Sequence, residues 1–166
     1  DCSLCVEVAY LDIDQMRSTF TELATLLLGD AKQAKSFMSK AKLHSMEELE
    51  DSWWNLYEKL LSTGRAVELS LKIELEDFLY NVQKLIHNKN LSTDENLTGD
   101  VSIDTSAFDD SQCIGDWCAH FNSTWKNHKL VGMDIGTDSL VLMVLSNEEF
   151  KRAQELAKEL LHRIDV

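Results

Sequence analysis

The chain has 166 residues, 44% of them hydrophobic and 27% charged, with 16 basic against 29 acidic side chains and a net charge of −13. That length suits one domain with its own core, needing neither metal nor disulfide merely to fold, and the hydrophobic content excludes an intrinsically disordered chain. The negative charge argues against direct nucleic-acid binding, which needs a cationic footprint, and no apolar run approaches the ~20 residues of a membrane helix.

In chain order, Leu4, Val6, Val8 and Tyr10 alternate and predict a short strand. Asp12 or Asp14 then caps a helix in which Met16, Phe20, Leu23, Ala24 and Leu27 recur at steps of three and four, closed by Gly29. Asp30 opens a second helix carrying Ala34, Phe37, Met38 and Ala41. Ser45-Met46-Glu47-Glu48 is a capping box before a third, whose stripe is Met46, Leu49, Trp53, Leu56 and Leu60, with Gly64 at its end. The adjacent Trp53 and Trp54 read as one core and one rim residue. From 67 to 73 the period changes to two, which predicts a half-buried strand running into a helix built on Leu75, Phe78, Val82, Leu85 and Ile86.

Residues 90–110 are polar and acidic and read as a long loop, with Val101 and Ile103 as a candidate edge strand. Asp110 or Ser111 caps the next helix, which holds Ile114, Trp117, Cys118, Phe121 and Trp125. Two apolar runs, 130–135 and 140–145, flank Gly136-Thr137-Asp138-Ser139 and predict a hairpin; the second run is apolar throughout and belongs mid-sheet, covered on both faces. A second capping box, Ser146 to Glu149, opens a last helix with Phe150, Ala153, Ala157, Leu160 and Ile164 inward. The expected fold is a single α+β domain over 1–166, about six helices on a small, mainly antiparallel sheet of three to five strands. The chain has no proline, where average usage would give about eight, so its elements end on glycine and Asx or Ser caps.

For catalysis the residues offer little. The five histidines are scattered, and no nucleophile elbow, phosphate-binding glycine loop or His-x-x-x-His pair is present, so no catalytic residue and no cofactor is expected. Asp134-Ile135-Gly136-Thr137 resembles the first phosphate loop of actin-like and heat-shock-chaperone ATPases. In that family the motif opens a large two-lobed fold near the N-terminus, and a hairpin glycine at positive φ accounts for the same letters here. Cys2, Cys5, Cys113, Cys118 and His120 assemble into a zinc set only on paper. On a strand, 2 and 5 face opposite ways, and on a helix 113 and 118 lie about 140° apart, so no metal site is expected. Asp94 to Val101 looks like the opening of an EF-hand loop, but Thr105 stands where the bidentate glutamate belongs.

The charge distribution says more. Between 90 and 125 there is no Lys or Arg, against seven acids (Asp94, Glu95, Asp100, Asp104, Asp109, Asp110 and Asp116), with Phe108, Trp117, Phe121 and Trp125 interleaved. Acids that steer encounter, together with aromatics that anchor, make a surface for a basic protein partner. The expected partner-binding residues are Asp100, Asp104, Asp109, Asp110, Asp116 and Trp117. The same letters also fit a solvated loop followed by a helix whose aromatics face the core. A metal- or small-molecule-binding protein using Cys113, Cys118 and His120 is the alternative. The start, Asp1-Cys2-Ser3-Leu4-Cys5, has neither a basic n-region nor an apolar h-region, which predicts a cytoplasmic protein whose three Asn-x-Ser/Thr sequons carry no glycan.

The C-terminal third, from Asp116-Trp117 through Gly132-Met133-Asp134-Ile135-Gly136-Thr137-Asp138-Ser139 into the last helix, resembles an uncharacterised bacterial family, a domain of unknown function. The resemblance brings no catalytic residues. By analogy with other acidic, helix-rich bacterial domains it implies a non-enzymatic interaction protein of the toxin-immunity kind.

Overall fold

A computed structural model describes residues 12–91 and 101–166; the predicted N-terminal strand, the EF-hand-like segment and Asp100 lie outside the described residues. Among the described residues six α-helices and four strands follow in the order α1 (Ile13–Leu28), α2 (Ala31–Lys40), α3 (Met46–Ser62), β1 (Val67–Leu69), α4 (Leu75–Asn88), α5 (Ile114–Thr124), β2 (His128–Met133), β3 (Leu140–Ser146), α6 (Asn147–Glu159) and β4 (Ile164–Asp165), with a 3₁₀ turn at Thr105–Ala107. This is the expected α+β architecture.

The capping chemistry sets most boundaries. Asp30 Oδ1 accepts the amide of Lys32 at 2.9 Å, opening α2. Ser45 Oγ accepts the Glu48 amide at 3.2 Å, while the Glu48 carboxylate takes the amide of His44 at 3.1 Å, one residue further back than a simple capping box. At α6 the box closes fully: Glu149 N donates to Ser146 Oγ at 3.1 Å and Ser146 N to Glu149 Oε1 at 2.8 Å. Gly29 closes α1 with φ 67°, the left-handed conformation that glycine adopts without steric penalty.

The sheet runs β1-β3-β2-β4, with every pairing antiparallel. β2 and β3 form the predicted hairpin, Met133 facing Val141 and His128 facing Ser146, and Gly136 in its turn has φ 74°. Along β3 every residue from Val141 to Leu145 is buried, because side chains alternate between two packed layers. Val141, Met143 and Leu145 join Val131, Met133 and Ile164 against α1, α3 and α6. Leu142 and Val144 join Leu130 and Leu69 against α4 and α5.

Three expectations change. The strand predicted over 67–73 stops at Leu69, because Leu69 pairs with Leu140, the first residue of β3, and among the described residues no partner continues beyond it. The chain turns there, with Ile73 N donating to Ser70 O at 3.1 Å. The last helix ends at Glu159, and Ile164, which fitted its inward face, instead pairs with Met133 as the edge strand β4. The stop is made by Leu161 at φ 62° and by a bond from His162 N to Ala157 O at 2.9 Å, a Schellman-type closure with leucine where glycine is usual. Among the described residues the sheet edges are thus β1 and β4, and Val101 is a buried coil residue rather than part of a strand.

Candidate functional site

The acidic stretch is built around α5. Its N-cap is Cys113, not Asp110 or Ser111, because Asp109 Oδ1 already accepts the amide and hydroxyl of Ser111, at 2.9 and 2.7 Å. Asp116 reaches back to Cys113, whose amide and thiol donate to Oδ2 at 3.3 and 3.2 Å. Asp104 forms a matching turn, with Oδ1 taking the amide of Ser106 at 3.1 Å and its hydroxyl at 2.6 Å. The Ser106 and Ser111 bonds hold the carboxyls of Asp104 and Asp109 below the usual aspartate range. Each turn engages only Oδ1.

Asp104, Asp109, Asp110 and Asp116 are all exposed, and among the described residues none is paired with Lys or Arg. The aromatics lie elsewhere. Trp117 is 3% exposed and stacks with Phe78 at 5.4 Å, while Phe121 and Trp125 are buried beside it. The residue expected to anchor a partner therefore faces the core: 117, 121 and 125 share one side of α5 and its C-cap, and of the acids only Asp116 is on that helix, Asp104, Asp109 and Asp110 standing in the segment before it. Its contribution is positional. Trp117 Nε1 donates to the carbonyl of Asp109 at 2.9 Å, and Phe108 meets the His120 ring at 4.7 Å, which together hold the acidic segment against α5.

Cys118 lies near enough to Cys113 for the two thiols to interact, while the His120 ring packs against Phe108. Burial pushes the Cys118 thiol up to about 12, with a further contribution from Cys113. Among the described residues no group of three His, Cys, Asp or Glu side chains is placed to hold a metal ion; Cys2 and Cys5 lie outside them.

Sequence reasoning did not anticipate a groove of about 730 Å³ beside α5. One wall is α5 itself, through Gly115, Cys118, Ala119, Asn122 and Ser123, and the floor is Leu130, Gly132, Leu140 and Leu142 of the hairpin. Asp134, Arg163 and Asp165 stand at the rim, with Arg163 3.7 Å from Asp134. The Asn122 side chain fastens the far end of α5 to β2, donating to Leu130 O at 3.0 Å and accepting from Leu130 N at 2.7 Å, as a neighbouring strand would. Across the hairpin turn a second hollow of about 360 Å³ lies between Trp53, Trp54 and Leu161. There His162 stacks on Trp53 at 4.3 Å with Nε2 3.0 Å from Glu50, so its polar groups already satisfy one another.

Fold and surface together define a compact acidic α+β protein with an open groove. The chain belongs to the family described as Domain of unknown function (DUF6630), whose model matches residues 13–166, most of the chain rather than its C-terminal third alone. No curated protein and no solved structure matches it. Among the described residues no helix is long and apolar enough to cross a membrane.

Proposed function

We propose that the protein is a non-enzymatic, cytoplasmic interaction module of the toxin-immunity kind that captures a basic protein partner on the face carrying Asp104, Asp109, Asp110 and Asp116. One observation carries this reading: four exposed carboxylates, none paired with Lys or Arg among the described residues, lie within thirteen positions, 104–116, and three of them are fixed by their own local hydrogen bonds. Side chains already held in place lose little rotamer freedom on binding, so their attraction to a cation is offset less by ordering. Ionised carboxylates clustered on one face also raise the encounter rate with a positive partner. Trp117 supports that face from beneath.

The test is charge reversal. Asp109→Lys with Asp110→Lys is expected to lower affinity for a lysine-rich peptide about tenfold and to flatten its salt dependence. Equal affinity and an equal salt slope in that variant would overturn the assignment.

A further inference from the structure

We infer that the groove between α5 and the hairpin seats the apolar side chains of an extended, cationic segment of a partner protein; for the partner's charge this rests on the reading of the acidic face. The groove exists because side chains are missing on both of its sides. Leu130 and Gly132 point to the same face of β2, and α4 and α5 cover that face beside Leu130 but not beside Gly132. Nothing local requires glycine there: its φ is not positive, and an added Cβ would meet Asp165 O at 3.7 Å and Leu140 Cδ1 at 3.8 Å, ordinary contacts. Glycine inside a paired strand weakens it and often marks a place where another chain or ligand comes close. Opposite, Gly115, Ala119 and Ser123 recur every fourth residue on α5 and present almost no bulk. Of the floor leucines Leu130 and Leu142 are buried and Leu140 is half-buried, so the apolar surface open to a partner is Leu140 with Cys118 and Ala119 of the wall.

The rim decides the occupant's charge. Asp134 and Asp165 border the groove, Arg163 is the single Lys or Arg among its described lining residues, and it is already tied to Asp134. With Asp134 paired to Arg163, Asp165 leaves the rim one net negative charge, which favours a cationic occupant over an anionic one. Continuity decides its length. Gly115 lines the groove and Asp116 follows it at the N-terminal end of α5, so an elongated chain leaving the leucine floor passes directly onto the acidic face. A segment alternating apolar and cationic side chains suits both surfaces at once.

Three synthetic peptides of equal length test this on the intact protein: alternating Leu/Lys, alternating Ser/Lys and alternating Leu/Glu. Affinity is measured by calorimetry and location by backbone amide NMR shifts. The Leu/Lys peptide is expected to bind most tightly and to shift Gly132, Ala119 and Cys118. Gly132→Val, which fills the floor, and Ala119→Leu, which fills the wall, should each weaken it about tenfold while leaving the Ser/Lys peptide unaffected. Two variants on opposite sides keep the test valid if one of them melts early. Unchanged Leu/Lys affinity in both filled variants overturns the groove, as does failure of that peptide to bind or equal binding of the Leu/Glu peptide. If Ser/Lys binds as well as Leu/Lys and only Asp109→Lys/Asp110→Lys weakens it, the groove falls while the acidic face stands. If only the filled variants lose affinity, the groove stands and the acidic face falls.

Discussion

On one face of the sheet Val131, Met133, Val141, Met143 and Leu145 meet side chains of α1, α3 and α6, and large residues such as Phe20, Leu23 and Leu49 are fully buried there. On the other face α4 and α5 cover Leu69, Leu130 and Val144 but leave the hairpin end open beside Gly132. The same two strands build both layers, so the difference comes from the side chains that meet them. The closed face is covered by three helices, with Ala24, Ala153 and Ala157 among the larger side chains, whereas the open one lacks bulk at Gly115, Ala119 and Gly132. Both faces hold fully buried side chains, Phe20 and Leu23 on the first and Phe78 and Val82 on the second, and the proposed binding falls where the second is open.

Core truncation sharpens that contrast most. Phe20→Ala on the closed face should cost about 3–5 kcal/mol in denaturant unfolding, whereas Leu140→Ala, at the half-buried edge of the groove, should cost well under half of that. Similar losses at the two sites would mean that the open face is packed after all. Trp117→Phe is expected to cost about 1 kcal/mol through the lost bond to Asp109, and to loosen the acidic segment, visible as faster amide exchange over residues 104–112.

Glu149 joins the two layers, since it caps α6 and accepts from Lys89 Nζ of the segment following α4 at 2.8 Å. Burial acts to raise its carboxyl, but the bonds from Lys89 and Ser146 outweigh it and hold it below the ordinary 4.5. A group with a depressed folded value stabilises above its unfolded value and loses that contribution as pH falls through the folded one. The pair should thus contribute about 1 kcal/mol at neutral pH, fading below about pH 4.5, and Glu149→Gln should remove both the contribution and its share of the acid slope. An unchanged acid limb in that variant would refute the linkage. Smallest, and opposite in sign, is Leu161→Gly. It relieves a non-glycine residue at φ 62° whose side chain is 59% exposed, and should raise stability by up to about 1 kcal/mol.

Much of this molecule was readable from its residues, and the parts that were not have physical causes. Ser45 and Ser146, each followed three positions later by glutamate, mark helix starts through bonds that depend only on local spacing. Gly136 marks the hairpin because positive φ selects for glycine. Ile164 misled, since it lies at helical spacing from Ala157 and Leu160 and the stop at Leu161 lacks the usual glycine; only the pairing with Met133 shows it as strand. Trp117 misled differently. Composition pools a helix with the segment before it, so acids facing water in that segment and aromatics facing the core from the helix read as one patch. The groove was invisible because a missing side chain at Gly132 acquires meaning only when α5 is known to leave that floor uncovered.

The central claim is that attraction for a basic partner is localised on one face, not spread over a chain of net charge −13. A backbone amide NMR titration with the Ser/Lys peptide tests it directly. The account predicts shifts concentrated between residues 104 and 116, abolished by raised salt and by Asp109→Lys/Asp110→Lys. Shifts scattered evenly over acidic residues of α1, α3 and α6, or retained in that variant, would contradict it.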